Sequence, residues 1–341
     1  MASSLTALGL DIPVLAAPMA GGPSTPALVM AAARAGGLGF LAGGYKTAAA
    51  LAGQITEVRS TGVPFGVNLF VPNPVPVDPE AFHRYAREIA PDAEPYGVDV
   101  LGAAIVEDDD HWQDKLDLLL STPVPVVSFT FGIPASTVIA ALRTAGTVVV
   151  QTVTSPQEAR QASEAGADML AVQSSAAGGH SATLTPGRIP PPTPLTDLLR
   201  QVRHAVPTPL IAAGGLATPD AVAAALQTDA TAVMVGTALL RAEEAGTSHP
   251  HKKALADPSR RTTTVTRAFT GRPARSLTNT FTDHHTATAP PGYPAVHHLT
   301  SPLRKAATAA GDPELINLWA GTGHRRTTAE PTARILRRLT S

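Results

Sequence analysis

The ten residues Ala171-Val172-Gln173-Ser174-Ser175-Ala176-Ala177-Gly178-Gly179-His180 carry the densest chemistry in this chain. The run Met169 to Val172 has the apolar character of a buried strand. It ends on an amide side chain and then on two glycines, which let backbone approach something flat or charged. The imidazole of His180 follows, a group titrating near pH ~6.5 that can accept a proton or, once charged, pair with an anion. A second amide, Asn68, sits near the end of another apolar run, Phe65 to Phe70. Two further runs end on Gly214-Gly215 and on Gly236-Thr237.

These residues need elements that bring them to one place. Short apolar runs alternate with helix-like stretches, as in repeated βα units. Eight strands are predicted, at Val14–Ala17, Leu38–Ala42, Phe65–Phe70, Val124–Phe129, Val148–Val150, Met169–Gln173, Pro209–Ala213 and Ala232–Val235. Ser24 is the expected N-cap of the first helix and Ser155 opens the helix before Ala165. Eight parallel strands close naturally into a (β/α)8 TIM barrel. The alternative is a doubly wound open sheet, which predicts one glycine-rich loop near the first strand rather than glycines after several strands. The expected layout is a barrel over 1–245 with a proline-rich insertion at about 71–110. Residues 246–341, helical and loop-like in composition, then form a smaller, mostly helical lid on the barrel mouth.

In such a barrel the active site lies at the carboxyl ends of the strands, with a phosphate site after the seventh and eighth. Backbone N–H groups freed at Gly214, Gly215 and Gly236, with the Thr237 hydroxyl, fit that role. Asn68 and Gln173 each offer a donor and an acceptor, which suits the edge of a flavin ring better than a metal. At each position an amide bonded only to backbone is the alternative. The adjacent pairs His284-His285 and His297-His298 do not converge easily on one ion, so they are read as solvated and no metal site is expected.

Composition narrows the classes. The 341 residues are 44% hydrophobic and 16% charged, which supports a large core. A net charge of −1 gives no reason to expect nucleic acid or an anionic membrane as partner. The basic run Arg325, Arg326, Arg334, Arg337 and Arg338 reads as a solvated terminal helix. The absence of cysteine excludes disulfides, thiolate catalysis and iron–sulfur clusters. The first twenty residues lack a basic start and are broken by Asp11 and Pro13, so they read as a strand rather than a signal peptide. A cytoplasmic setting is the expectation.

Taken together, Ala17-Pro18-Met19-Ala20-Gly21-Gly22, Phe65-Gly66-Val67-Asn68-Leu69-Phe70, Val127-Ser128-Phe129-Thr130-Phe131-Gly132, Ala177-Gly178-Gly179-His180, Ile211 to Gly215, Val235-Gly236-Thr237, Gly271-Arg272-Pro273-Ala274-Arg275 and Leu318-Trp319-Ala320-Gly321 resemble the motifs of class I nitronate monooxygenases, formerly 2-nitropropane dioxygenases. The resemblance covers nearly the whole chain in the right order. It implies an FMN-dependent, metal-free enzyme that oxidises an alkyl nitronate or nitroalkane with O2 to a carbonyl compound and nitrite. By position it lays Ala17, Pro18, Met19, Ala20 and Gly21 along the flavin and Asn68 and Gln173 at its ring edge. Gly178 and Gly179 pass beside it, Gly214, Gly215, Gly236 and Thr237 hold its phosphate, and His180 faces substrate as the catalytic base.

The chain departs from the family pattern at Ala176, where many members have a carboxylate, and at Ser181, where they have a basic residue. Thr130 replaces a second histidine. With Met19, these three positions are the expected substrate-binding residues, and the lost charges point to a larger or less acidic nitro compound. Two rival functions share the same barrel and motifs. One is an FMN-dependent NAD(P)H reductase of an enoyl thioester or quinone, and the other an FMN-binding barrel without chemistry.

Overall fold

A computed structural model describes residues 10–341. Eleven strands are present among them: β1 (Val14–Ala16), β2 (Leu38–Ala42), β3 (Phe65–Phe70), β4 (Val126–Thr130), β5 (Val148–Val153), β6 (Met169–Gln173), β7 (Gly179–His180), β8 (Leu210–Ala213), β9 (Ala230–Val235), β10 (Thr263–Thr266) and β11 (Ala274–Leu277). Eight form a closed parallel barrel in the order β1-β2-β3-β4-β5-β6-β8-β9. It shuts where Val14 and Ala16 pair with Val233 and Val235. The fold is therefore the (β/α)8 barrel expected from the eight apolar runs.

The strands read as unbroken apolar runs because both faces are covered. Leu15, Phe40, Val126, Val150, Met169, Ile211 and Met234 fill the barrel interior. Gly66 has no room for a side chain there, since a Cβ would sit 2.3 Å from the Phe40 ring. The outward faces pack against helices that begin on caps legible in the sequence, such as Thr47, Ser155 and Thr218. The first helix differs: Thr25 is its N-cap, accepting from Leu28 N. Ser24 turns the other way, and its buried hydroxyl accepts from Met19 N at 2.8 Å. It thereby shapes the loop after β1 rather than the helix.

A second apolar cluster joins the insertion to the C-terminal region, and these segments pack as a second unit beside the barrel. Phe82, Tyr85 and Ile89, from the helix Pro79–Ala93, pack with Phe269, Phe281, Val296, Leu299 and Leu303. The Tyr85 hydroxyl donates to Ala268 O at 2.6 Å across that seam.

Two features of the 246–341 segment depart from the expected helical lid. The β-branched run Thr263-Thr264-Val265-Thr266 forms an antiparallel hairpin with β11, and β7 joins as the third strand. The final helix, Thr332–Leu339, belongs to the barrel wall instead of the lid. Its Ile335, Leu336 and Leu339 are buried in the barrel's outer core. Glu244 caps it, accepting from Thr332 N at 2.8 Å and from the Thr332 hydroxyl at 2.7 Å. Arg334 and Arg338 on its exposed face both pair with Glu330.

Candidate active site

A cavity of about 850 Å³ opens at the carboxyl ends of the barrel strands, beneath the second unit. Of the residues singled out from the sequence, all line it except Ala176 and Ser181. Ala176 packs under the turn at Gly215 and accepts from Thr322 N at 3.0 Å. Ser181 follows His180 in an extended segment, so its side chain takes the opposite face. Its hydroxyl accepts from Thr183 N, and it borders a small cleft with Pro190 and Pro273.

The glycines divide by what fills the space of the missing Cβ. At Gly178 it is backbone, since a Cβ would lie 2.5 Å from Gly321 N and 2.6 Å from Ala320 C. Gly178 is therefore required by the Leu318–Gly321 segment, whatever else passes nearby. Gly214 (φ +105°) is crowded by Ser174 and Ala177. Gly21 (φ +83°) differs, with no atom within 4 Å of its Cβ position, so it borders open cavity. At the other glycine-bearing strand end, the Thr237 hydroxyl accepts from Gly321 N at 2.9 Å.

The two amides also differ. Asn68 is buried, and its Nδ2 is oriented toward Ser128 O, Ser128 Oγ and Thr130 Oγ1 at 3.0–3.1 Å. Its Oδ1 has no protein partner among the described residues. Ser128 and Thr130 together orient Asn68. Gln173 instead ties down the His180 segment. Its Nε2 donates to His180 O at 3.2 Å and its Oε1 accepts from Ala182 N at 2.8 Å. One Nε2 hydrogen is left over, so the backbone alternative accounts for most of this side chain.

His180 stands on β7, paired with Ala274 of β11. Its Nε2 lies 2.9 Å from Thr270 Oγ1. That hydroxyl also accepts from Arg272 N at 3.4 Å, so it can donate to Nε2, which leaves the neutral ring's hydrogen on Nδ1. Phe131, Tyr293 and Trp319 surround the imidazole with ring centroids at 5.5, 5.9 and 5.4 Å. Burial, reinforced by the positive charges of Arg272 and Arg304, pushes the His180 pKa down to about 3. The ring is neutral at physiological pH.

Neither arginine faces a carboxylate. Arg272 is completely buried, stacked 3.9 Å over the Phe131 ring. It donates to Ser181 O and Thr183 O, and its Nη1 has no partner. Arg304 donates to Thr300, Asn317 and His297. Burial pushes their pKa values down to about 9 and about 10. They remain charged at neutral pH, and Arg304 lines the cavity together with Lys46, Lys305, Asp108 and Asp110.

Some functional residues had no recognisable signal. Arg272 stood in a quoted motif, but nothing in its spacing announced an unpaired buried cation. Thr247 and His251 line the cavity with Oγ1 and Nε2 buried and unpartnered, groups a bound ligand can satisfy. Burial pushes His251 down to about 4. Of the histidines expected in solvent, His284 is exposed and the other three are held by protein. His285 Nε2 meets Asp92 Oδ2 at 2.6 Å, with His284 close enough that the three form a possible ligand set. His298 pairs with Asp108 at 2.8 Å, and His297 stacks on Tyr45.

Paired glycines, a buried amide and an imidazole thus meet in one cavity at the strand ends of a closed (β/α)8 barrel. The family model for nitronate monooxygenase matches residues 3–341. The chain belongs to the nitronate monooxygenase family, and as such is an oxidoreductase. A probable nitronate monooxygenase of Staphylococcus saprophyticus is 34% identical over 93% of this chain and 90% of its own. One from Bacillus subtilis is 34% identical over 94% and 92%. Among solved structures, nitroalkane oxidase from Streptomyces ansochromogenes aligns with a TM-score of 0.92 at 47% identity, over 99% of this chain and 96% of that one. FabK from Thermotoga maritima aligns at 0.73 and 27%, over 99% and 95%. Among the described residues no helix is long and apolar enough to cross a membrane.

Proposed function

We propose that this protein binds FMN in the 850 Å³ cavity and uses O2 to oxidise a nitronate to a carbonyl compound and nitrite. The observation that carries the proposal is the convergence of Gly214-Gly215, Gly236-Thr237, Asn68 and His180 on that one cavity. The glycine-bearing turns after β8 and β9 would hold the phosphate. The free Oδ1 of Asn68 would accept from the ring edge, and Gly21 leaves the backbone open for a flat group to lie along. The orphaned polar atoms of Thr247 and His251 also fit a ligand rich in hydroxyls. FMN, when bound, supplies the electron-accepting chemistry.

The charge state of His180 favours a preformed nitronate over a neutral nitroalkane. A ring titrating at about 3 is a weak base for a carbon acid. The two arginines that suppress its protonation also attract an anion. In this reading His180 acts as a neutral hydrogen-bonding group that places the nitronate, in place of the catalytic base expected from sequence. The decisive measurement is nitrite release from ethyl nitronate and from nitroethane under matched conditions. The expected result is a preference for the nitronate of at least about 100-fold, the lower range for missing general-base catalysis. Equal turnover would refute this role for His180. The likeness to FabK keeps a reductase in view. Anaerobic bleaching of the flavin by NADH or NADPH, without nitrite release from nitronate, would select it.

A further inference from the structure

The chain contains only fourteen Phe, Tyr and Trp side chains, yet five of them line this cavity. Four of the five stand together, away from the glycine cradle. Tyr45 follows β2, Phe70 ends β3, and Phe131 follows β4, while Tyr293 reaches in from the second unit. Gly214-Gly215 and Gly236-Thr237 follow β8 and β9, across the barrel. The rings form a continuous wall. Phe70 packs on Phe131 at 4.4 Å between centroids, Phe131 on Tyr293 at 5.5 Å, and Tyr45 meets Phe70 at 5.6 Å. His297 completes it, stacked on Tyr45 at 4.4 Å with an interplanar angle of 2° and meeting Tyr293 at 6.3 Å. Burial and the charge of Arg304 hold the His297 ring neutral, so it adds a flat, uncharged face.

Phe131 is almost fully buried, with Arg272 over one face. The part of the wall open to a ligand is therefore Tyr45, Phe70, His297 and the edge of Tyr293. That is more than a small aliphatic nitronate held at His180 would cover. Offset and edge-on aromatic packing is selective for another ring. The wall begins at Phe131 and Tyr293, beside the imidazole, and extends outward to Tyr45, which is 37% exposed. It thus leads from the reacting position to the mouth. We infer that the substrate carries an aromatic ring on the chain attached to its nitronate carbon, with the ring seated against Tyr45, Phe70, His297 and the edge of Tyr293. This rests on the nitronate-oxidising reading above and adds the class of substrate.

The experiment uses the flavin-loaded enzyme and two pairs of compounds differing only by a phenyl group. Turnover is compared for 2-phenylethyl nitronate and ethyl nitronate. Binding of the unreactive carboxylates 3-phenylpropionate and propionate is followed through the flavin's visible spectrum. The expected kcat/KM ratio favours the aryl nitronate at least about ten-fold, equivalent to about 1.4 kcal/mol. The Kd ratio should favour phenylpropionate by a similar factor. Tyr45→Ala and Tyr293→Leu should each lower both ratios several-fold, and Tyr45, at the rim, is the position least required for folding. Aryl preference in binding without nitrite release from either nitronate would refute the nitronate reading and leave the aromatic seat standing. Efficient turnover of ethyl nitronate with no aryl preference in either assay would overturn the seat and leave the reaction intact.

Discussion

Acid should destabilise this protein through histidines that folding forces to stay neutral, and His251 isolates the effect. It is 6% exposed, lacks a partner for Nε2, and has its pKa pushed down to about 4 by burial. In the unfolded chain an imidazole titrates near ~6.5. Because the folded value is the lower one, the unfolded state binds more protons as pH falls. Stability is complete above pH ~6.5 and is lost progressively toward the folded value. For a single such group the loss is about 0.2 kcal/mol at pH 7 and about 2 kcal/mol at pH 5. His180, with a value of about 3, should lose a similar amount over the same window. The assay is urea unfolding at pH 7 and pH 5 at one FMN concentration, with the FMN Kd measured at each pH for parent and variant so that ligand linkage is subtracted. His251→Leu removes one titrating group and one orphaned polar atom. The difference in unfolding free energy between the two pH values should shrink by about 2 kcal/mol relative to the parent. An unchanged difference, or an NMR titration of His251 near ~6.5, would refute the reasoning.

Other perturbations have equally definite outcomes. Gly178→Ala drives a Cβ against the Ala320–Gly321 backbone and should cost about 1–3 kcal/mol, read as a lowered Tm. Gly21→Ala meets no atom but must hold φ +83°, so it should cost about 1–2 kcal/mol of stability and also raise the FMN Kd measured by fluorescence. Arg272→Met removes one of the two cations facing His180, and the NMR-measured pKa of that imidazole should rise. Glu244→Ala uncaps the final helix and should cost about 1 kcal/mol by chemical denaturation, with little effect on FMN affinity.

The barrel was readable because a strand covered on both faces has an unmistakable composition. Val148 to Val150 and Met169 to Gln173 could hardly be anything else, although the first of these strands runs on to Val153. The glycine turns and His180 were found because barrel topology fixes where strand ends go. Long-range pairing was not readable. The threonine run at 263–266 becomes a strand only because Ala274 to Leu277 lies opposite, and Thr332 to Leu339 joins the barrel through a gap next to the first helix. Ala176 and Ser181 were prominent in sequence as neighbours of His180, but turn packing and strand alternation point them elsewhere. Phe131, Tyr293 and His297 come from segments too distant in sequence for any local pattern to join them.

The placement of β7 has a consequence for how this architecture can be altered. By chain order His180 belongs to the crossover between β6 and β8, while by hydrogen bonding it is an edge residue of the hairpin sheet. The two units therefore cannot be exchanged as separate modules. A hairpin grafted from a relative at 263–277 would meet β7 in its own register, and a slip of one residue would turn the imidazole to the opposite face. A productive chimera has to move residues 174–183 together with that hairpin, and the Gln173 amide that clasps both ends of the segment marks where the join should fall.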